Sequence, residues 1–177
     1  MTNPSVFITE SDMKFGPFDG EQCFHIEHSR LYTNIQNGVQ MAEFLLLKND
    51  QPNHPSILDV VEAKSSSPRP EGKEYFDDYI RQIRDKFVNA LTLCWAACLE
   101  RHPKFHGELP KRIQDMNLSQ VHVRFILDIK GHREEWLPPI DAGLNKAMRP
   151  TLKTWGFSPN AVIVLNDDMA RQRQYIV

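Results

Sequence analysis

The chain is expected to fold as an α/β protein, with a mixed central β-sheet running β-meander, helix, strand, helix, strand and helices flanking it. Three observations predict this class. Apolar residues alternate or run together in short stretches between strong turn signals from residue 22 to 64. A long segment with helical spacing follows over 75–99, and two further short apolar runs at 121–130 and 161–165 bracket a second helical segment.

Residues 1–20 hold Pro, Gly and acids with scattered Phe7, Phe15 and Phe18, and are expected to be an irregular lead-in to one domain over 21–177. From Gln22 to Ile35, Phe24 and Ile26 alternate with His25 and Glu27, which reads as a first strand. Asn37-Gly38 is a turn signal, and Val39 to Lys48 (VQMAEFLLLK) reads as a second strand buried on both faces. The breaker-rich run Asn49–Pro55 turns the chain into a third strand at Ile57. Three strands with short connections imply an antiparallel meander.

Ser65–Lys73, with Pro68 and Pro70, is a loop. Phe76, Ile80, Ile83, Phe87, Leu91, Cys94 and Cys98 then recur every three or four residues, the stripe of a helix whose second half is apolar nearly all round. A polar connection with one short helix is expected over 101–120, followed by a fourth strand at 121–130. Pro139 to Trp155 forms a second helix stopped by Gly156, with Pro150 expected to kink or split it. Ala161 to Leu165 is the fifth strand.

The composition, 41% apolar and 25% charged, is that of a water-soluble domain, and no apolar run is long enough to span a membrane. With no basic-then-apolar leader at Met1-Thr2-Asn3-Pro4, a cytoplasmic address and no membrane partner are expected. Cys23, Cys94 and Cys98 form no paired C-x-x-C and are expected to be buried reduced thiols. Residues 1–99 hold 9 Lys/Arg against 14 Asp/Glu, a net −5, and residues 100–177 hold 12 against 9, a net +3. That asymmetry fits an acidic metal site beside a more basic flank.

The chemistry concentrates at the end of the third strand. In Ile57-Leu58-Asp59-Val60-Val61-Glu62-Ala63-Lys64, Glu62 and Lys64 are two apart and share a face, while Asp59 falls on the other. Glu43, alone in an apolar strand one hairpin upstream, can come within a few ångströms of Glu62 across the meander. Two carboxylates that close repel unless a proton or a cation lies between them. A hard cation, Mg²⁺ or Mn²⁺, suits that place, with Glu43, Glu62 and the Ala63 carbonyl as ligands and Glu27 as a third acid. The surface alternative is an ordinary Glu–Lys ion pair. Asp128-Ile129-Lys130 repeats the acid-x-lysine pattern, but Gly131-His132-Arg133 makes it look like an exposed strand end. His25, His28, His122 and His132 show no helical ligand spacing. There is no G-x-S-x-G, Walker loop or dinucleotide fingerprint either.

This order of elements, with Glu43 on the second strand and Glu62-Ala63-Lys64 on the third, resembles the PD-(D/E)xK nuclease superfamily, the restriction-endonuclease-like fold. The resemblance covers residues 22 to about 130. It departs from the usual pattern in carrying Glu rather than Asp on the second strand and in lacking a Glu-bearing helix before the first, a place Glu27 would fill. The resemblance implies a metal-dependent nuclease cutting phosphodiester bonds in nucleic acid, expected to be DNA, in a restriction or phage-defence setting. Glu43, Glu62, Lys64 and Gln82 on the following helix would be its catalytic residues. Ser65, Ser66, Arg69, Lys73, Arg81 and Arg84 would then hold backbone phosphates, and a homodimer partner or companion subunit is implied. The alternative is a non-cutting module of the same fold, serving as a subunit of a larger nucleic-acid-associated complex.

Overall fold

The computed structural model describes residues 4–48 and 55–177. The Asn49–Pro55 connection therefore lies, but for Pro55, outside the described residues. The chain opens on a β-hairpin, β1 (Ser5–Glu10) and β2 (Met13–Asp19). This corrects the expectation of an irregular lead-in. Ser11 and Asp12, at φ 50° and 56°, make the two-residue turn whose twist matches paired strands. At Gly16 (φ 110°) a Cβ would stand 2.6 Å from the Val6 carbonyl, so the strands approach there as only glycine permits.

A five-stranded mixed sheet follows, in the order β3 (Cys23–Phe24), β4 (Phe44–Lys48), β5 (Ile57–Lys64), β6 (His122–Ile129), β7 (Val162–Asn166). The pairs β3/β4 and β4/β5 are antiparallel, while β5/β6 and β6/β7 are parallel. The long crossovers that parallel neighbours require are supplied by the helices α2 (Lys73–Cys98) and α4 (Leu137–Trp155). The α/β class, with a five-stranded mixed sheet flanked by helices, is therefore present.

The first two sheet strands are shorter than expected. After Phe24 the chain turns into a 3-10 turn at Ile26–His28 and a one-turn helix, α1 (Arg30–Thr33). Ser29 drives that change, its Oγ accepting from Tyr32 N at 3.0 Å as an N-cap and donating to Ile26 O at 2.7 Å. Asn37-Gly38 does turn the chain, with Val39 N donating to Gln36 O. The strand beyond it begins only at Phe44. The 101–120 connection carries a 3-10 segment and a short helix, α3 (Lys111–Gln114). Pro150 does not split α4, which runs unbroken from Leu137 to Trp155. It lies exposed on the solvent side, where water can serve the carbonyl that its missing N–H leaves free.

One face of the sheet, including Leu45, Leu47, Leu58, Val60, Phe125 and Leu127, packs on α2 and α4. The other, including Phe44, Leu46, Val61, Ala63 and Ile126, is covered by the hairpin and by Tyr175 and Ile176 after the last helix, α5 (Asp167–Gln172). Asp59 belongs to this second face, as the strand period demands. It is fully buried, with Arg124 Nε at 2.6 Å, Arg124 Nη2 at 2.9 Å and the Tyr175 hydroxyl donating at 2.7 Å. Cys23 and Cys94 are buried and Cys98 is half-buried, all three as free thiols. Among the described residues no helix is long and apolar enough to cross a membrane.

Candidate functional site

The β4/β5 ladder pairs Phe44 with Val61, and Glu43 N donates to Val61 O at 3.0 Å. One step further along that register, Glu43 stands opposite Glu62 on the helix-covered face. Glu62 is fully buried. Its Oε1 is 2.7 Å from Lys64 Nζ and 2.8 Å from Lys86 Nζ. The Lys86 ammonium also lies 3.9 Å from Glu43 Oε1, so the two carboxylates meet at one cation. Glu43 Oε2 and Glu62 Oε2 are buried with no hydrogen-bond partner among the described residues. Such orphaned acceptors are costly unless something further reaches them.

Glu27 also reaches this place, though from the 3-10 turn rather than from a strand. Its backbone N–H donates to Glu43 O at 3.3 Å. Carboxylate oxygens of Glu10, Glu27 and Glu43 all lie within 4.8 Å of one another. Glu10 arrives from the hairpin, whose tip is pinned to the end of β5. There the Ser11 hydroxyl donates to the Ala63 carbonyl at 3.1 Å, and Asp12 Oδ2 lies 3.5 Å from Lys130 Nζ. The Ala63 carbonyl thus already accepts one hydrogen bond and keeps a single lone pair for a metal.

Burial, then a proton-sharing contact with Glu27 and the charge of Glu62, push the Glu43 carboxyl up to about 9. Burial also raises the Glu62 carboxyl, against the pull of Lys86 and Lys64. Burial lowers the Lys86 ammonium, but Glu62 and Glu43 outweigh it and hold the ammonium above its ordinary value. Tyr79, on one face with Lys86 on α2, has a buried hydroxyl without a partner among the described residues, its pKa raised by burial and by the charge of Glu62. Its acidity is thus suppressed beside the carboxylates.

These shifts fix the sign of the pH dependence. A carboxyl with a raised native pKa binds more protons folded than unfolded, so the metal-free protein loses stability as pH rises from the ordinary carboxylate range towards 9. Glu43→Gln is expected to flatten that slope between pH 5 and roughly pH 9. Urea midpoints at several pH values read it directly, and an unchanged slope contradicts the burial argument.

The remaining expected site residues divide. Ser65 and Ser66 are exposed directly after Lys64. Arg69 is exposed and lines a cavity of about 450 Å³ with Ser67, His132 and Trp136, while Lys73 is exposed at the first position of α2. Gln82 is exposed, and Lys86, one turn further on, is the α2 side chain that contacts the carboxylates. Arg81 and Arg84, expected to hold backbone phosphates, lie on another side of α2 from the carboxylates. At about 100° per residue each lies two positions, roughly 200°, round the helix from Tyr79 or Lys86. They pair instead with Asp78 and Asp85 at 2.7 and 2.6 Å.

Asp128 is also not the exposed strand end that its flanks suggested. It is buried on the hairpin-covered face opposite Glu62, with both oxygens lacking a partner among the described residues. Burial, then Asp167, pushes it up to about 7. Only Lys130 of that D-x-K run is exposed.

Lys86, Glu10, His25 and His28 were not singled out as site residues by sequence reasoning. On a strand His25 and His28 would face opposite ways. On a 3-10 turn residues three apart eclipse one another, and the two rings lie 4.2 Å apart between centroids. His25 Nε2 and His28 Nε2 are 3.1 and 3.4 Å from Glu10 Oε1. The residues thus offer a hard all-oxygen donor set in Glu10, Glu27 and Glu43, with Glu62 reached from it through Lys86, next to a mixed nitrogen–oxygen set in Glu10, His25 and His28. No protein-family model, curated protein or solved structure matches the chain.

Proposed function

We propose that the chain is a metal-dependent nuclease domain of the PD-(D/E)xK type, with the restriction-endonuclease-like fold, cutting phosphodiester bonds in DNA. The observation that carries this reading is that Glu43, beside Glu27, and Glu62, paired with Lys64, both reach the Lys86 ammonium, with Glu43 Oε2 and Glu62 Oε2 buried and unpartnered among the described residues. Orphaned hard oxygens in a crowded acidic place fit Mg²⁺ or Mn²⁺. Glu43 and Glu62 would hold the ion, with Glu27 and the remaining lone pair of the Ala63 carbonyl beside them. Bound there, the ion would polarise a scissile phosphate and acidify water.

Lys64 performs the chain's own part of the chemistry. Its ammonium is held 2.7 Å from Glu62 yet is only partly buried, so it can hold an attacking water at the site's mouth and offset charge gathering on the phosphate. Tyr79 and the apolar face of α2 keep bulk water from the back of the site. Ser65, Ser66, Arg69 and Lys73, all exposed, would contact the phosphate backbone. A second copy or companion subunit would supply the rest of the grip.

One observation favours the second reading, a non-cutting module within a larger nucleic-acid-associated complex. Lys86 already places a cation between Glu43 and Glu62. A cleavage assay separates the two. Wild-type protein with Mn²⁺ or Mg²⁺ is expected to cut single- or double-stranded DNA, and Glu62→Gln and Lys64→Ala are each expected to lose at least about 100-fold of that rate. Equal cleavage by both variants ends the nuclease reading, and no cleavage by wild type leaves the module.

A further inference from the structure

We propose that Glu10, His25 and His28 form a separate site for a borderline divalent transition metal such as Zn²⁺, independent of any nuclease activity. The two imidazole Nε2 atoms stand 3.1 and 3.4 Å from the same carboxylate oxygen, and all three donor atoms lie within 4.8 Å of one another. Tetrahedral zinc with nitrogen and oxygen ligands at about 2.0–2.2 Å sets its ligands roughly 3.4 Å apart. The donors are thus already near the edges of such a polyhedron. Two imidazoles and one carboxylate, with further positions open, are also a recurrent catalytic-type zinc and non-haem metal set.

The donors come from two elements that are each held independently. Glu10 is the last residue of β1, and the turn beyond it is fixed by Ser11 to the Ala63 carbonyl and by Asp12 to Lys130. His25 caps and His28 ends the 3-10 turn anchored by wholly buried Ile26. The Ile26 carbonyl accepts from Ser29, and Glu27 N–H donates to the Glu43 carbonyl. A site whose ligands are fixed before the metal arrives loses little freedom on binding. The His28 side chain is 65% exposed, so the open coordination positions face solvent. Glu10 also has a carboxylate oxygen within 4.8 Å of oxygens of Glu27 and Glu43, but the two imidazoles belong to this site alone.

Nitrogen donors also distinguish this site from the all-oxygen one. Mg²⁺ prefers hard oxygens and water, whereas imidazole suits zinc and cobalt. Titration of the full chain with Co²⁺ tests the proposal. The wild type is expected to bind one ion with the intense visible absorption of four- or five-coordinate cobalt, displaced by Zn²⁺ but not by excess Mg²⁺. His25→Ala and His28→Ala are each expected to weaken binding by at least the roughly 10–100-fold that losing even an outer partner costs. Glu62→Gln is expected to keep the spectrum. Folding of each variant is read by circular dichroism, and the exposure of His28 makes its variant the decisive one. A folded wild type without the absorption, or absorption that survives His28→Ala, overturns the site. Cobalt binding by a protein that cuts no DNA overturns only the nuclease reading.

Discussion

Replacing Lys86 with alanine is expected to cost the fold about 3 kcal/mol, near the lower end of what breaking a buried ion pair costs. The ammonium is mostly buried and bonds Glu62 Oε1 at 2.8 Å, with Glu43 Oε1 at 3.9 Å. Without it Glu62 keeps Lys64 on the same oxygen, and Glu43 loses the cation that it shares with Glu62. The cost stays near the lower end because the buried carboxyls can take up protons, a response their raised pKa values already favour. Lys86→Met, which keeps the apolar stem, separates charge from packing. Urea unfolding measures both, and a loss below about 1 kcal/mol, the size of a surface pair, contradicts the account. Mn²⁺ is expected to recover part of the lost stability, since an ion that binds only the folded chain stabilises it.

Phe15→Ala is expected to cost about 3–5 kcal/mol. Phe15 is wholly buried on β2. Its ring meets Phe44 edge-on at 5.2 Å between centroids, and its backbone bridges to Ile176. The hairpin is held to the sheet chiefly through this contact together with Ile8, Met13 and Phe18. Its loss loosens the element that carries Glu10, so cobalt binding is expected to weaken along with stability. Phe7→Ala, at a half-exposed position of the same hairpin, is the control and is expected to change stability by less than about 0.5 kcal/mol. Equal losses in the two variants contradict this packing.

Much of the sheet was legible because apolar runs mark strands, the three-to-four spacing marks α2 and the stop at Gly156 marks the end of α4. Period-two geometry alone put Asp59 on the face away from Glu62, where Arg124 and Tyr175 hold it. What was not legible has specific causes. The hairpin turns on Ser11-Asp12, not on an Asn-Gly pair, and its strands are interrupted by Gly16-Pro17, so its breakers hid its pairing. The alternation at Phe24 and Ile26 looked like a long strand, but Ser29 caps a helix and bends the segment into a 3-10 turn. That misreading concealed the His25–His28 pair. Lys86 lies beside Phe87 on a helix read for its apolar stripe. Its tie to Glu62 depends on how α2 crosses β5, which periodicity does not encode. Asp128 looked exposed because its neighbours Lys130–Arg133 are polar, yet the register of a parallel strand buried it.

The central claim is that the carboxylates gathered at the end of β5 bind a hard divalent cation. Calorimetric titration of the full chain with Mn²⁺ tests it most directly. Saturable binding is expected in the wild type, lost in Glu43→Gln and Glu62→Gln and kept in His28→Ala. Its strength should rise with pH as Glu43 gives up its proton. A folded wild type that gives no saturable heat, or binding unchanged in both glutamine variants, contradicts it.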